Sequence, residues 1–417
     1  METDRLMAKY LIETAQEPER AAAVMAGEQS TGTFVPVPGE TDELRERAGA
    51  RVESVRVVGE SGAPALPHAR AAGPGGVYRR AEVVLSWPLQ NMGPSLGNVL
   101  ATVAGNLFEL RDFSGLRLTD VEFPAAFAQA YPGPRFGVAG TRRLAGVEGR
   151  PIIGTIIKPS VGLSPQETAA MVRELVRAGL DFIKDDELMA NGPGNPFPER
   201  VAAVMEVIHE EAARTGRQAM FAFNLTGEID EMFRHAEMVE RAGGTCVMVS
   251  IHSVGLAGVA HLRRHCGLPI HGHRNGWGAL TRAPLLGFEF TAWQKFWRLA
   301  GVDHLHCNGL RNKFWEPDDS VVASARECLT PLLGGYTVMP VLSSGQWAGQ
   351  APDTYRRLGT ADLMYLCGGG ICAHPRGVAA GVASVRQAWE AALAGVELKE
   401  YAAQHPELRA ALEAFGQ

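Results

Sequence analysis

No stretch of the 417-residue chain approaches the roughly 20 consecutive apolar residues that a bilayer-spanning helix needs. The opening segment METDRLMAKY is charged and has no apolar signal core, so a cytoplasmic protein is expected. Basic residues are not in excess: 40 Lys and Arg face 46 Asp and Glu, a net charge of −6. Such a chain has no electrostatic reason to seek nucleic acid or an anionic membrane, although a local basic pocket for phosphate is still allowed. Cysteine is sparse. The six, Cys246, Cys266, Cys307, Cys328, Cys367 and Cys372, form no C-x-x-C pair. That speaks against a disulfide framework or zinc knuckle and for reduced thiols in the core.

Apolar residues make up 46% of the chain, enough for one large core and a smaller one. The first 140 residues mix strand-like runs (Leu6–Thr14, Val52–Val58, Gly76–Ser86, Leu116–Phe123) with helical ones (Glu17–Ala26, Pro94–Phe108). That order predicts a compact N-terminal α+β domain, ferredoxin-like, with helices on one face of a sheet. Residues 60–76 read as an exposed loop, and 131–151, dense in Gly and Pro, as a linker. From 141 to 417, short apolar runs alternate with amphipathic ones. The strand candidates are Ile152–Ile157, Asp181–Asp185, Ala219–Asn224, Cys246–Ile251, Leu268–His273, Val302–His306, Tyr336–Leu342 and Leu363–Cys367. Eight strand–helix units over about 250 residues predict a C-terminal TIM (β/α)8 barrel, an α/β fold. The rival, an open doubly wound sheet, is weakened because the first strand carries no G-x-G-x-x-G opening.

In such a barrel the active site lies at the C-terminal strand ends. Those ends carry Lys158 in IIKPS, Lys184, Asp186 and Glu187 in IKDDE, His271, His273 and Arg274 in HGHR, and His304 and His306 in HLHCN. Strand alternation puts Lys184 and Asp186 on one face and turns Asp185 away. Two carboxylates make a poor site for Mg2+, which wants near-octahedral oxygen coordination. A carbamate formed from CO2 on Lys184 would supply a third anionic oxygen ligand. Taken alone, KDDE reads rather as a salt-bridged cluster at a strand end. Ser343 and Gly345 in LSSGQW, and Gly368 and Gly369 in CGGGI, end adjacent strands where bare backbone amides can cradle a phosphate. Arg274 and His306 could hold a second anion. Lys313, in NGLRNKFWEP, reads by itself as a solvated lysine.

Together these segments resemble the large subunit of ribulose-bisphosphate carboxylase and its relatives, the RuBisCO-like proteins (type IV-like). GRPIIGTIIKPSVGLSPQE, AGLDFIKDDE, HGHRNGWG, DHLHCNGLRNK, VLSSGQW and CGGGICAHPRG carry the resemblance in order, and EQSTGTF and GNLFELRDFSGLRLTDVEFP extend it into the first half. The resemblance implies catalytic roles for Lys158, Lys184, His273 and Lys313. It implies Mg2+ on carbamylated Lys184, Asp186 and Glu187. Arg274 and His306 would take a distal phosphate or its replacement, and Ser343, Gly345, Gly368 and Gly369 substrate hydroxyls and the other phosphate. It also implies a homodimer whose sites form between subunits, with Glu28 and Asn106 arriving from the partner.

Departures from the carboxylases shape the expected function. Ser160 stands in place of a second lysine, Ile156 of a threonine, Trp277 of a histidine, Phe34 of a tryptophan and Ser344 of a glycine. Changed pocket chemistry implies a substrate other than ribulose 1,5-bisphosphate. The expected reaction is enediolate chemistry on a phosphorylated sugar acid or ketose, with carboxyl loss or transfer, as in a 3-oxo sugar-acid phosphate decarboxylase or a transcarboxylase/hydrolase. A ketose-phosphate enolase or isomerase of the methionine-salvage type, a genuine carboxylase, and a non-catalytic sugar-phosphate binder are the alternatives.

Overall fold

A computed structural model describes residues 4–32, 35 and 37–416, so Phe34 lies outside the described residues. The chain forms two compact units. One comprises Met1–Pro132 and Gly276–Leu299, the other Gly133–Asn275 and Ala300–Gln417.

The first unit is built on a five-stranded sheet in the order Leu286–Phe288, Gly115–Glu122, Arg5–Thr14, Tyr78–Pro88, Arg51–Ser61. Pairing is antiparallel except for Leu286–Phe288, which runs parallel to Gly115–Glu122. In the central strand Leu6, Ala8, Tyr10 and Ile12 alternate into the core with no exposure, as a period of two requires. The Tyr10 hydroxyl donates to Val103 O at 2.8 Å in the helix Leu96–Ala104. The expected helix 94–108 is two pieces. The helix stops at Gly105, where a Cβ would collide with Ala101 O, and a 3-10 turn follows over Asn106–Glu109.

Residues 276–299, read from sequence as part of the barrel, belong to this unit instead. Arg117 donates to the carbonyls of Thr281, Ala283 and Leu286 and pairs with Glu289 at 2.6 Å. A three-residue strand is too short to show a period. Trp277, read from sequence as a pocket residue, is buried in this unit against Phe290 and Trp293, at ring distances of 5.4 and 6.5 Å. Trp277→His is therefore expected to lower stability by about 2–4 kcal/mol, since a smaller polar ring leaves a cavity. Urea denaturation checks this; an unchanged midpoint contradicts it.

In the second unit eight parallel strands close into a barrel: Ile152–Ile156, Phe182–Lys184, Met220–Asn224, Cys246–Ser250, Ile270–His273, His304–His306, Met339–Leu342 and Met364–Leu366, the last pairing with the first. The helix Pro165–Arg177 opens with a capping box between Ser164 and Glu167. Side chains rather than a pore fill the barrel. Ile152, Phe182, Met220, Ala222, Cys246, Met248, Met339, Val341, Met364 and Leu366 form its apolar core. The fifth and sixth strands break that lining by contributing His271, His304 and His306, all buried.

The segment 131–151 is not a linker. It contains the helix Gly137–Ala145, and Ala145 and Val147 join the barrel core. Gly137 has φ +52°, and a Cβ there would lie 2.8 Å from Thr337 O, so the glycine is a packing requirement. The N–H groups of Phe136 and Gly137 donate to Asp303 Oδ1 at 2.6 and 3.0 Å, which places this helix at the N-terminal end of the barrel. All six cysteines are free thiols and five are buried. No helix among the described residues is long and apolar enough to cross a membrane.

Candidate active site at the barrel mouth

Lys184 ends the second barrel strand and is 1% exposed. Its Nζ donates to Asp185 O at 2.8 Å and lies 3.6 Å from Glu187 Oε2. Burial, only partly opposed by Glu187 and Asp186, pushes its pKa down from the ordinary lysine value. The amine is thereby biased toward its neutral, nucleophilic form.

Asp185 faces away from this cluster, as strand alternation requires. Its Oδ2 accepts from Arg200 Nε at 3.2 Å and from Asn224 N–H at 2.9 Å. Asp186 faces the mouth and accepts from Lys158 Nζ at 2.6 Å, and Lys158 also donates to Ser160 Oγ at 2.8 Å. Burial opposes ionisation of Asp186, but the Lys158 hydrogen bond and Leu188 N–H outweigh it and hold the carboxyl below its usual range. The Asn224 amide donates to the carbonyls of Asp186 and Glu187, at 3.2 and 3.3 Å, fixing the turn that presents both carboxylates.

His273 Nε2 lies 3.5 Å from Glu187 Oε2. Its Nδ1 lies 3.2 Å from both the backbone N–H and the side-chain Oδ1 of Asn275, which together hold the ring toward Glu187. Burial, then the Lys184 charge, lowers its pKa to about 4. Lys158, Lys184, Asp186, Glu187 and His273 thus form one connected cluster. Among the described residues no group of three His, Cys, Asp or Glu side chains is arranged to hold a metal ion. Asp186 and Glu187 supply two carboxylates, and the Lys184 amine stands 3.6 Å from the second.

Arg274 is buried, and its Nη2 donates to Glu316 Oε2 at 2.5 Å. Glu316 also accepts from Asn308 Nδ2 at 2.6 Å and Ser320 Oγ at 2.8 Å. Neither ring nitrogen of His306 is left for an anion: Nε2 is 2.7 Å from His271 Nε2, and Nδ1 is 3.1 Å from Ser343 Oγ. Ser344 and Gly345 have φ +71° and +88°. The left-handed strain at Ser344 is offset by its Oγ donating to Asn308 Oδ1 at 2.8 Å. Ser344→Gly is therefore expected to change stability by less than about 1 kcal/mol, measured as a shift in urea midpoint.

Lys313 N–H donates to Ser344 O at 3.1 Å, which ties its loop to the seventh strand. Its exposed ammonium sits over the Phe314 ring at 5.3 Å rather than with the Lys184 cluster. Gly368 precedes a single helical turn, Gly369–Cys372. Space is open at Gly369, whereas a Cβ on Gly370 would lie 2.6 Å from Trp347 Cβ, so Gly370 is the packing glycine of the triplet. Glu28 and Asn106 are exposed in the first unit and meet each other, Asn106 Nδ2 lying 3.4 Å from Glu28 Oε1.

Sequence reading missed Asn224, Asn275 and Glu316, each of which holds a candidate site residue in place. Asn224 and Asn275 stand at or just past strand ends in FAFN and HGHRN, which was a usable signal. Glu316 carried none, since its loop gives no period.

Residues 1–127 match the N-terminal domain model of the ribulose bisphosphate carboxylase large chain, and residues 137–415 match its catalytic domain model. A 3-oxo-isoapionate-4-phosphate transcarboxylase/hydrolase of Xanthobacter autotrophicus is 55% identical, over 98% of this chain and 99% of that protein. A 3-oxo-isoapionate-4-phosphate decarboxylase of Rhizobium etli is 48% identical, over 97% of each. The crystal structure of a RuBisCO-like protein from Burkholderia fungorum superposes with a TM-score of 0.93 at 49% identity, covering 99% of this chain and all of that one. With both domain models matched in order and relatives at this identity over nearly the whole length, the chain belongs to the ribulose bisphosphate carboxylase large-chain superfamily, among its RuBisCO-like proteins.

Proposed function

We propose that this protein is a Mg2+-dependent enzyme that removes or transfers the carboxyl group of a phosphorylated 3-oxo sugar acid, 3-oxo-isoapionate 4-phosphate being the first compound to test. The observation that carries the reading is the buried Lys184 amine set beside Asp186 and Glu187. The residues fit the metal once Lys184 is modified. A neutral Lys184 amine would add to CO2, forming an N–C bond and releasing one proton, and the carbamate with Asp186 and Glu187 would give three anionic side chains to hold the ion. Mg2+ bound there would polarise the substrate carbonyl and stabilise the charge of an enediolate.

A 3-oxo acid loses CO2 when the electron pair of the breaking C–C bond passes toward the 3-carbonyl. Lys158 Nζ, hydrogen-bonded to Asp186, is the group placed to return a proton to the resulting carbanion centre. His273 Nε2 faces Glu187 and orients that carboxylate. Lys313, on a loop anchored to the seventh strand, is assigned to the substrate carboxyl group, with Arg274 for an anionic end and Ser343, Gly345, Gly368 and Gly369 for hydroxyls and phosphate. The names of the relatives support the substrate class.

Incubation of 3-oxo-isoapionate 4-phosphate with enzyme, Mg2+ and bicarbonate, followed by 13C and 31P NMR, tests this. Consumption of the substrate is expected, and the products separate release from recapture. No consumption, together with no deuterium exchange into other phosphorylated sugar acids, overturns the reading. Lys313→Ala is expected to spare deuterium exchange and to lower carboxyl loss by about 100-fold; equal loss of both contradicts its assignment.

The same reading makes the working unit a cytoplasmic homodimer in which Glu28 and Asn106 complete the partner's site. Their exposure and mutual contact outside the barrel support it. Co-expressed Glu28→Ala and Lys184→Ala chains, each inactive alone, should recover roughly a quarter of wild-type activity, because half the dimers then carry one intact site. No recovery in verified mixed dimers rules out sharing.

A further inference from the structure

Three fully or nearly fully buried histidines cross the barrel interior in a continuous chain of contacts. Thr141 Oγ1 lies 2.9 Å from His304 Nε2, and His304 Nδ1 lies 3.3 Å from His271 Nδ1. His271 Nε2 is 2.7 Å from His306 Nε2, and His306 Nδ1 is 3.1 Å from Ser343 Oγ. The chain therefore begins on the helix at the N-terminal end of the barrel and finishes at the mouth.

We propose that Thr141 sets the direction of every proton in this chain, so that Ser343 is locked as a hydrogen-bond acceptor toward the mouth and reads a substrate hydroxyl rather than an anionic oxygen. The inference rests on the proposed function only in taking the mouth as the substrate site.

The assignment follows from hydrogen-bond logic. Thr141 Oγ1 is 2.5 Å from Gly137 O, one turn earlier in its helix. A carbonyl cannot donate, so the threonine proton is committed there. Thr141 must then accept from His304, which puts the His304 proton on Nε2 and leaves Nδ1 bare. That nitrogen accepts from His271 Nδ1–H, so His271 Nε2 is bare and accepts from His306 Nε2–H. His306 Nδ1 is the remaining acceptor, and among the described residues the Ser343 hydroxyl is the donor that faces it.

Neighbouring groups leave this order undisturbed. The Cys246 thiol, 4.0 Å from His304 Nδ1, has the carbonyls of Val247 and Pro269 nearer, at 3.5 Å. Ser344 lies 3.4 Å from Ser343, but its own proton goes to Asn308 Oδ1. Asn308 is oriented in turn by donating its amide to Glu316. Burial holds all three imidazoles below their usual pKa, which keeps each ring at one proton. With its proton spent on His306, the Ser343 oxygen offers only lone pairs to a ligand. Phosphate and carboxylate oxygens are repelled there, while a hydroxyl hydrogen is taken. His271, His304 and Thr141 are positioning residues for that selection.

Two-bond 1H–15N correlation spectra of the full-length protein labelled with 15N-histidine, assigned by single His→Gln variants, read the tautomers directly. In wild type at pH 7.5, His304 and His306 should carry the proton on Nε2 and His271 on Nδ1. A proton on His306 Nδ1, or an imidazolium at any of the three, overturns the proposal. Thr141→Val removes the terminal acceptor and should reverse the chain, moving the proton to His271 Nε2 and His306 Nδ1. Thr141→Ser should restore the wild-type pattern. Unchanged tautomers in Thr141→Val would overturn the role of Thr141. In the reaction, Thr141→Val should raise KM about tenfold with kcat within about threefold, because Ser343 would then present a proton to a hydroxyl hydrogen. An unchanged KM with a reversed chain overturns the reading of Ser343. The spectra need no substrate, so failure of the proposed reaction would not obscure them.

Discussion

Lys184→Ala is expected to lower carboxyl chemistry by on the order of 1000-fold or more, without unfolding the barrel. The reason lies in what surrounds the amine. A buried, charged lysine normally demands a carboxylate partner at hydrogen-bond distance. Lys184 instead donates to a backbone carbonyl at 2.8 Å and stands 3.6 Å from Glu187, while Asp186 is held by Lys158. An alanine there removes no strong ion pair from the fold, so urea midpoints should move by only about 1–2 kcal/mol. It does remove the atom that takes up CO2. Three measurements are decisive together: turnover, the denaturation midpoint, and the 13C carbamate signal after exposure to 13C-bicarbonate. Wild type should show the signal and the variant should not. Turnover retained within about tenfold would remove the carbamate from the mechanism.

Much of this cluster was legible because it sits on strands. A period of two told which of Lys184, Asp185 and Asp186 share a face, and the structure turns Asp185 to Arg200 accordingly. The eight barrel strands were legible for the same reason: each is a short apolar run between amphipathic helices. What failed to show was everything governed by contacts distant in sequence. Leu286–Phe288 is a strand only because Gly115–Glu122 lies beside it. Gly137–Ala145 was hidden by flanking Gly and Pro, although Gly137 is there to let the helix approach Thr337. Trp277, two residues past Asn275, looked like part of the HGHRNGWG motif at the barrel mouth, yet it packs with Phe290 and Trp293 in the other unit. The histidines were read one by one, with a proton-transfer role for His273 and an anion for His306, and none for His271 or His304. Their hydrogen bonds to one another could not be seen without the barrel that brings the fifth and sixth strands side by side.

Those buried histidines also predict a steep loss of stability in mild acid. His304 has its pKa lowered to about 3, and His271 and His306 lie well below the usual value, burial being the first cause in each. In the unfolded chain the same imidazoles protonate near 6.5. Below that pH the unfolded state binds protons that the folded state refuses, so stability falls as pH falls and is fully present only above about 7. Each such histidine contributes about 1.4 kcal/mol per pH unit once well below its unfolded pKa, so three approach roughly 4 kcal/mol per unit. Against a total stability of about 5–15 kcal/mol, the fold should be lost or its core rearranged by about pH 4.5. Carboxylate titration adds little above pH 5, which leaves the interval from 7 to 5 to the histidines. Urea midpoints taken at half-unit steps across that interval should drop continuously, and His304→Gln should make the drop shallower by about a quarter or less, because His273, His235 and His252 also have lowered pKa values. A flat profile in wild type would mean that the chain accommodates charge. The three imidazoles would then be neither neutral nor locked in one tautomer inside the barrel.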